Sequence, residues 1–223
     1  MNFGILGPVE VGDESGLMAV PGQRRRALLV RLLVGANSPI DGGRLAEDVW
    51  AGDPPPGVAS TLQSHLSWLR GLLGPERIRG AAGSVIFSLA EGELDAECFE
   101  AELQTAAEAL GGGDPLAATD ILDKALARWR GPALADVSGL EWALPEIVRL
   151  DELKTRALVT RLDSRLELGE HREIVPEAEA LVREHPMRED FAGRLMLALY
   201  RSGRQTDALS VYRRVRATLG EEL

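Results

Sequence analysis

The sequence has 223 residues, room for two modest domains rather than one large core, and its 45% hydrophobic and 27% charged content is that of an ordinary folded chain. One cysteine, Cys98, excludes an intramolecular disulfide framework; no secretory signal opens the chain, and no window approaches the roughly 18 apolar residues of a membrane span, so a cytoplasmic protein without membrane contact is expected. The net charge of −10 is uneven: residues 1–92 hold 8 Lys/Arg against 9 Asp/Glu (net −1), residues 93–223 hold 17 against 26 (net −9), so the first part can still bind a polyanion if its arginines share a face.

Residues 3–11 (FGILGPVEV) and 17–20 read as short strands separated by a glycine-bounded turn. Residues 23–35 (QRRRALLVRLLVG) read as a helix with Arg24, Arg25 and Arg26 in its first turn. Cations there oppose the helix dipole, which suggests an external anion; a solvated basic turn is the alternative. Asp41 caps a second helix ending at Trp50, with Leu45, Val49 and Trp50 facing inward. Residues 52–57 (GDPPPG) cannot be helix and form a stiff exposed connector carrying Asp53, Pro54, Pro55 and Pro56.

The third helix, residues 57–73 (GVASTLQSHLSWLRGLL), has two faces. Leu62, Leu66, Leu69 and Leu73 recur at spacings that stack them in one apolar stripe. The other side carries Ser60, Ser64, Ser67 and Gly71, flanked by Thr61 and Trp68, and holds no acid. A solvated helix usually fills that side with Glu and Lys. Small hydrogen-bonding residues suit a helix pressed into the groove of a polyanion, with Arg70 on the flank holding a phosphate; packing against another protein surface is the alternative. His65 lies on this helix, where phosphate contact and simple exposure both fit. Trp68 suits either a thymine methyl or cover for the seam beside Leu72. Residues 77–89 (RIRGAAGSVIFSL) then read as a hairpin with Arg77 and Arg79 on its first strand and a Gly-Ala-Ala-Gly tip. Strands, three helices and a hairpin predict an α+β winged helix-turn-helix over residues 1–92, with the third helix as reader and the hairpin as wing. Arg24, Arg25, Arg26, Arg77 and Arg79 are its candidate phosphate contacts.

From Leu94 the chain reads as helical and repetitive. Gly169 and Gly203 lie 34 residues apart, the period of a tetratricopeptide repeat. Ala208 and Tyr212 fall at the small and aromatic positions where the second helix of such a repeat packs on the first. The preceding unit has Ile174, Ala178 and Pro186, and a third has Gly113, Ala118, Leu122 and Ala125. Residues 93–223 are therefore expected to be an all-α, tetratricopeptide-like domain of about three helix pairs, interrupted by an irregular insertion at residues 131–140. Trp129 and Trp142 flank that insertion and are expected to staple the repeats to the winged domain. No phosphate-binding loop or dinucleotide fingerprint occurs. His65, His171 and His185 have no partner at metal spacing, and Cys98 suits a small buried position. No enzyme, cofactor or metal site is expected.

The motifs FGILGPVEV, QRRRALLVRLL, LAEDVWAGDPPP, LQSHLSWLRGLLG, ALARWRGPALAD and ALYRSGRQTDALSVYRRVRATLGEEL resemble those of the Streptomyces antibiotic regulatory protein family over nearly the whole chain. The resemblance implies an OmpR-type winged helix followed by a bacterial transcriptional activation domain. It also implies binding to direct repeats in double-stranded DNA beside a promoter, as a homodimer, and recruitment of RNA polymerase holoenzyme through the Asp53–Pro54–Pro55–Pro56 loop. Control of secondary-metabolite genes and residence at the nucleoid follow from the same likeness. Members usually carry Gly-Tyr in the wing where this chain has Gly83-Ser84, and they commonly run on past Glu221-Glu222-Leu223, as the front of a larger regulator would. The reading from a different class is a helical-repeat adaptor whose winged domain binds protein. Phosphate binding weakens steeply with salt, whereas an apolar protein interface barely responds.

Overall fold

A computed structural model describes residues 1–81 and 83–222; Ala82, at the tip of the expected hairpin, and Leu223 lie outside the described residues. The chain groups into two units, Met1–Glu100 with Ala127–Glu152, and Ala101–Leu126 with Leu153–Leu223. Compactness therefore does not follow the linear boundary expected at residue 92: a segment from beyond it returns to the first unit.

The first unit opens on an antiparallel sheet of β1 (Asn2–Gly4), β2 (Glu10–Asp13) and β3 (Gly16–Met18), in register Phe3↔Val11 and Val11↔Met18. Residues 3–11, expected as one strand, break after Gly4 because the backbone that follows bonds elsewhere. The Ile5 and Leu6 amides donate to the Asp95 carboxylate at 2.8 and 3.1 Å. The Leu6 and Ile5 carbonyls accept from the amides of Arg130 (2.8 Å) and Leu134 (2.9 Å), in the returning segment. Burial raises the Asp95 carboxyl above its ordinary value, opposed by those two amides and by Arg130, whose Nη2 lies 2.9 Å away.

Helix α1 (Gln23–Val34) buries Ala27–Val30, Leu32 and Leu33 and so is enclosed on most of its girth. After the short strand β4 (Ile40–Asp41), helix α2 (Gly42–Trp50) starts with the Asp41 carboxylate accepting from the Arg44 amide at 3.0 Å, as expected of its cap. It ends where Ala51 (φ 59°) and Gly52 (φ 80°) turn left-handed. Helix α3 (Val58–Leu73) buries Leu62, Leu66, Leu69 and Leu73, the expected stripe. Strands β5 (Ile78–Ala81) and β6 (Ser84–Phe87) form the hairpin, and β4 pairs with β6 through Ile40↔Val85, giving the order β4-β6-β5. The returning segment carries Trp129, edge-on to Phe99 at 5.5 Å. It also carries Trp142, whose Nε1 donates to the Asp48 carbonyl at 3.0 Å. Both contacts lie inside the first unit, where the sequence suggested staples between domains.

Helix α4 (Asp95–Gly111) runs from the first unit into the second, which continues through α5 (Pro115–Leu126). Helix α6 (Leu144–Glu167) enters the second unit from the returning segment, followed by α7 (Val175–Glu184), α8 (Glu189–Arg201) and α9 (Gln205–Glu222). Gly113, Gly169 and Gly203 adopt φ of 83°, 84° and 82°. Each ends a helix with one hydrogen-bond pattern: its own amide donates three residues back (to Leu110, Leu166 and Tyr200), and the next amide five back (to Ala109, Arg165 and Leu199). Glycine is suited to such left-handed helix ends. Leu162, Leu166, Ile174, Ala178, Phe191, Leu195, Ala198 and Val211 share the core of α6–α9. Tyr212, expected to pack inward, is 48% exposed, and Val211 takes the buried position. His171 lies in the turn before α7, and His185 ends α7 with its ring 5.4 Å from that of Phe191.

Candidate nucleic-acid interface

Helix α3 offers an exposed face opposite its buried leucines. Ser60, Thr61, Ser64, Ser67 and Gly71 are exposed, and no residue of the helix is acidic. The Ser60 hydroxyl donates to the Gly57 carbonyl at 2.8 Å and that of Ser64 to the Ser60 carbonyl at 2.9 Å. With their hydrogens turned back into the helix, both oxygens present lone pairs outward. In that rotamer they can accept from amino groups on base edges; to donate to a phosphate the hydroxyl must first rotate.

Two expected readers stand half-buried at the flank. The His65 ring stacks on Trp50 with centroids 6.0 Å apart and planes 18° apart. Its burial, then the nearby charge of Arg25, holds its pKa below the ordinary histidine value and so favours the neutral ring. Trp68 lies under Arg25, whose guanidinium carbon is 4.5 Å from the ring centroid. Stacking on the indole face holds the guanidinium plane while leaving its edge available for hydrogen bonds. Arg70, expected on a phosphate, donates through Nε to the Ile78 carbonyl at 2.9 Å and so ties α3 to β5.

The candidate phosphate contacts separate into two groups. Arg24 donates to the Val49 carbonyl at 2.6 Å and lies 5.8 Å from the Trp50 ring centroid. Arg79 is exposed, with Nε 3.3 Å from the Glu76 carbonyl. Like Arg25 and Arg70, these two have no carboxylate partner among the described residues and keep their full positive charge. Arg26 and Arg77 depart from expectation because carboxylates neutralise them. Arg26 pairs with Asp136 at 2.6 Å, an acid that also accepts from the Val9 amide at 2.6 Å. Arg77 grips Glu93 with both terminal nitrogens, Nη2 at 2.6 Å, and Glu93 further accepts from the Ala90 amide at 2.8 Å. That pairing holds the Glu93 carboxyl down at about 2.

The loop of Asp53, Pro54, Pro55 and Pro56 is exposed throughout. Its ends are pinned by the Asp53 amide on the Trp50 carbonyl (3.3 Å) and the Val58 amide on the Pro55 carbonyl (3.0 Å). Three prolines leave little freedom to lose on contact with a partner. Sequence reasoning assigned Trp50 only to the core. It also forms the platform on which Arg24 and His65 rest, so it sets how α1 and α3 present their polar groups. Asp136 was equally unmarked; its only signal was its place in RWRGPALAD. Among the described residues no helix is long and apolar enough to cross a membrane, and no group of three or more His, Cys, Asp or Glu side chains could hold a metal ion.

Residues 94–223 match the family described as bacterial transcriptional activator domain. The whole chain is similar to the regulatory protein AfsR of Streptomyces coelicolor, 38% identical over 224 residues and spanning 22% of that protein. It is likewise similar to the regulatory protein DnrI of Streptomyces peucetius, 30% identical and spanning 86% of it. Its fold is similar to the solved structure of Mycobacterium tuberculosis EmbR in complex with a low affinity phosphopeptide, with a TM-score of 0.94 and 32% identity, covering 100% of this chain and 60% of that one. The chain thus spans less than two thirds of AfsR and of EmbR.

Proposed function

Because the chain belongs to the Streptomyces antibiotic regulatory protein family and carries a bacterial transcriptional activator domain, we propose that it is a DNA-binding transcriptional activator that reads promoter DNA with α3. The observation that carries the reading is the acid-free, exposed face of α3 beside four arginines without carboxylate partners among the described residues. In a winged helix-turn-helix arrangement α3 enters the major groove, Arg24 and Arg25 meet phosphates from α1, and Arg79 meets them from the β5–β6 wing. Arg26 and Arg77 are structural in this proposal, since each carries a neutralising acid.

The rest of the proposal rests on the family. Two copies bind direct repeats beside a promoter, the Asp53–Pro56 loop touches RNA polymerase holoenzyme, and tetratricopeptide-like helices form the remainder. The chain then acts in the cytoplasm at the nucleoid, on secondary-metabolite genes. Its boundaries as a DNA-binding part and an activation part near residue 93 belong to the same proposal. Genome-wide footprinting followed by salt titration of the recovered sites tests the reading. Recovery of repeated sites whose affinity falls steeply with salt supports it. Binding that is salt-insensitive, or no recovered site, favours a protein-binding role for the same face.

A further inference from the structure

Besides the residues already placed, helix α3 carries one exposed side chain of longer reach. Gln63, in the first two turns of the helix, is exposed, and its side chain has no hydrogen-bond partner among the described residues. By helical spacing it borders Ser60 at i−3 and Ser67 at i+4, at one edge of the acid-free face. The buried Leu62, Leu66, Leu69 and Leu73, with the Arg70 bond to the Ile78 carbonyl, fix the rotation of α3 about its axis. Gln63 therefore cannot trade places with the apolar stripe.

The other long polar side chains of α3 are engaged within the protein. His65 stacks on Trp50 with centroids 6.0 Å apart, Trp68 lies under the Arg25 guanidinium at 4.5 Å, and Arg70 donates to β5. What remains exposed beside Gln63 is short: Ala59, Ser60, Thr61, Ser64, Ser67 and Gly71. Such residues let the helix backbone approach a groove floor, but they discriminate poorly. The Ser60 and Ser64 oxygens, with their hydrogens on helix carbonyls, present acceptors only. An acceptor meets the amino group of adenine and that of cytosine alike. Gln63 holds a donor and an acceptor side by side in one plane, on an amide carbon two bonds beyond Cβ, whereas the hydroxyls sit on Cβ itself.

That pair of groups matches one base edge in the major groove. Adenine offers its N6 amino group as donor and N7 as acceptor, so the amide oxygen accepts from N6 while the amide nitrogen donates to N7. Guanine presents acceptors at both places, N7 and O6, and opposes the amide oxygen with a like group. Residues near the start of a reading helix are the ones that reach base edges. We propose that Gln63 is a specificity-determining residue that selects adenine at one position of the DNA site, through two hydrogen bonds to its major-groove edge. The inference rests on the reading of α3 as the DNA-facing helix. Being uncharged, Gln63 neutralises no phosphate and releases no counterion, so its contribution is separable from that of Arg24, Arg25 and Arg79.

The test lets the full chain and its Gln63→Ala and Gln63→Lys variants each select from a pool of randomised DNA duplexes. Fluorescence anisotropy then gives Kd on the selected duplex, on its single-position substitutions and on a nonspecific duplex, across a salt series. The wild-type chain should select a motif with one adenine position at which Gln63→Ala accepts any base while keeping the rest. Gln63→Ala should weaken the wild-type site by about tenfold, with nonspecific affinity within about twofold and the salt slope unchanged. Gln63→Lys should move the preference at that position to guanine, whose N7 and O6 both accept. The side chain is exposed, so both variants should keep the wild-type circular dichroism melt. An unchanged motif with Gln63→Ala, or adenine retained by Gln63→Lys, overturns the inference while leaving α3 as the reading helix. So does equal weakening of all sequences, which would make Gln63 a backbone contact. If the wild-type chain enriches no motif, the DNA-reading proposal itself falls, and this inference with it.

Discussion

Arg77 is the residue at which the sequence and the structure make opposite predictions. If it were a phosphate contact, Arg77→Ala would lower the salt slope of DNA binding by about 1 and leave stability alone. In the structure it holds Glu93 with two hydrogen bonds, with side chains 20% and 13% exposed. Glu93 is thereby depressed from 4.5 to about 2. That shift corresponds to a ceiling of about 3.4 kcal/mol at about 1.36 kcal/mol per unit. The pair lies near solvent, which screens it, and the Ala90 amide keeps part of the effect when Arg77 is gone. Arg77→Ala should therefore cost about 1.5–2 kcal/mol at pH 7. A carboxylate depressed in the folded state adds stability above its unfolded pKa, and that stability fades as pH falls through the folded value. The penalty should be full above about pH 5 and drop to about a quarter near pH 2.5. Urea unfolding at the two pH values measures it, and operator binding across a salt series supplies the second readout. A variant as stable as wild type at pH 7, with a salt slope lowered by about 1, would refute the structural assignment.

Arg25→Ala, by contrast, should lower the salt slope by about 1 and weaken all DNA sequences alike; loss confined to the specific operator in filter binding would contradict a phosphate role. Ser64→Glu should abolish operator binding in a mobility-shift assay while leaving the thermal melt within about 0.5 kcal/mol, since the side chain is exposed. Leu66→Ala, at 0% exposure on the opposite face, should cost about 2–5 kcal/mol in urea unfolding; a smaller loss would mean that α3 is not seated as described. Asp53→Ala with Pro55→Gly should keep promoter occupancy but reduce transcript yield with purified polymerase, and full yield would make the loop a passive linker.

Features set by short-range physics were legible in the sequence. The leucine stripe of α3, the Asp41 cap and the three glycine helix ends depend on neighbours within about five residues, and periodicity reports such neighbours directly. What periodicity cannot report is the choice of a distant partner. Nothing near residues 3–11 reveals that the Ile5 and Leu6 amides turn to Asp95, or that their carbonyls take the amides of Leu134 and Arg130. The fates of the arginines were hidden for the same reason: Arg26 and Arg25 are chemically equivalent until Asp136 and Trp68 are placed beside them. Tyr212 misled because an aromatic at a repeat position marks an interface without saying which side of the helix bears it.

The return of residues 127–152 to the first unit also constrains how the protein is made. Ribosomes deliver the chain from its N-terminus at about 5–20 residues per second. The first unit holds residues 1–100 but lacks the partners of Ile5, Leu6, Val9 and Arg26 until Arg130, Leu134 and Asp136 emerge. For several seconds a nascent chain thus exposes the unpaired Ile5–Gly7 backbone and the open flank of α1, while α5, which belongs to the other unit, is already out. The first unit cannot close before the second has begun to emerge. A shortened chain ending near residue 92 would be held permanently in that incomplete state, with an open strand edge prone to pair with other chains.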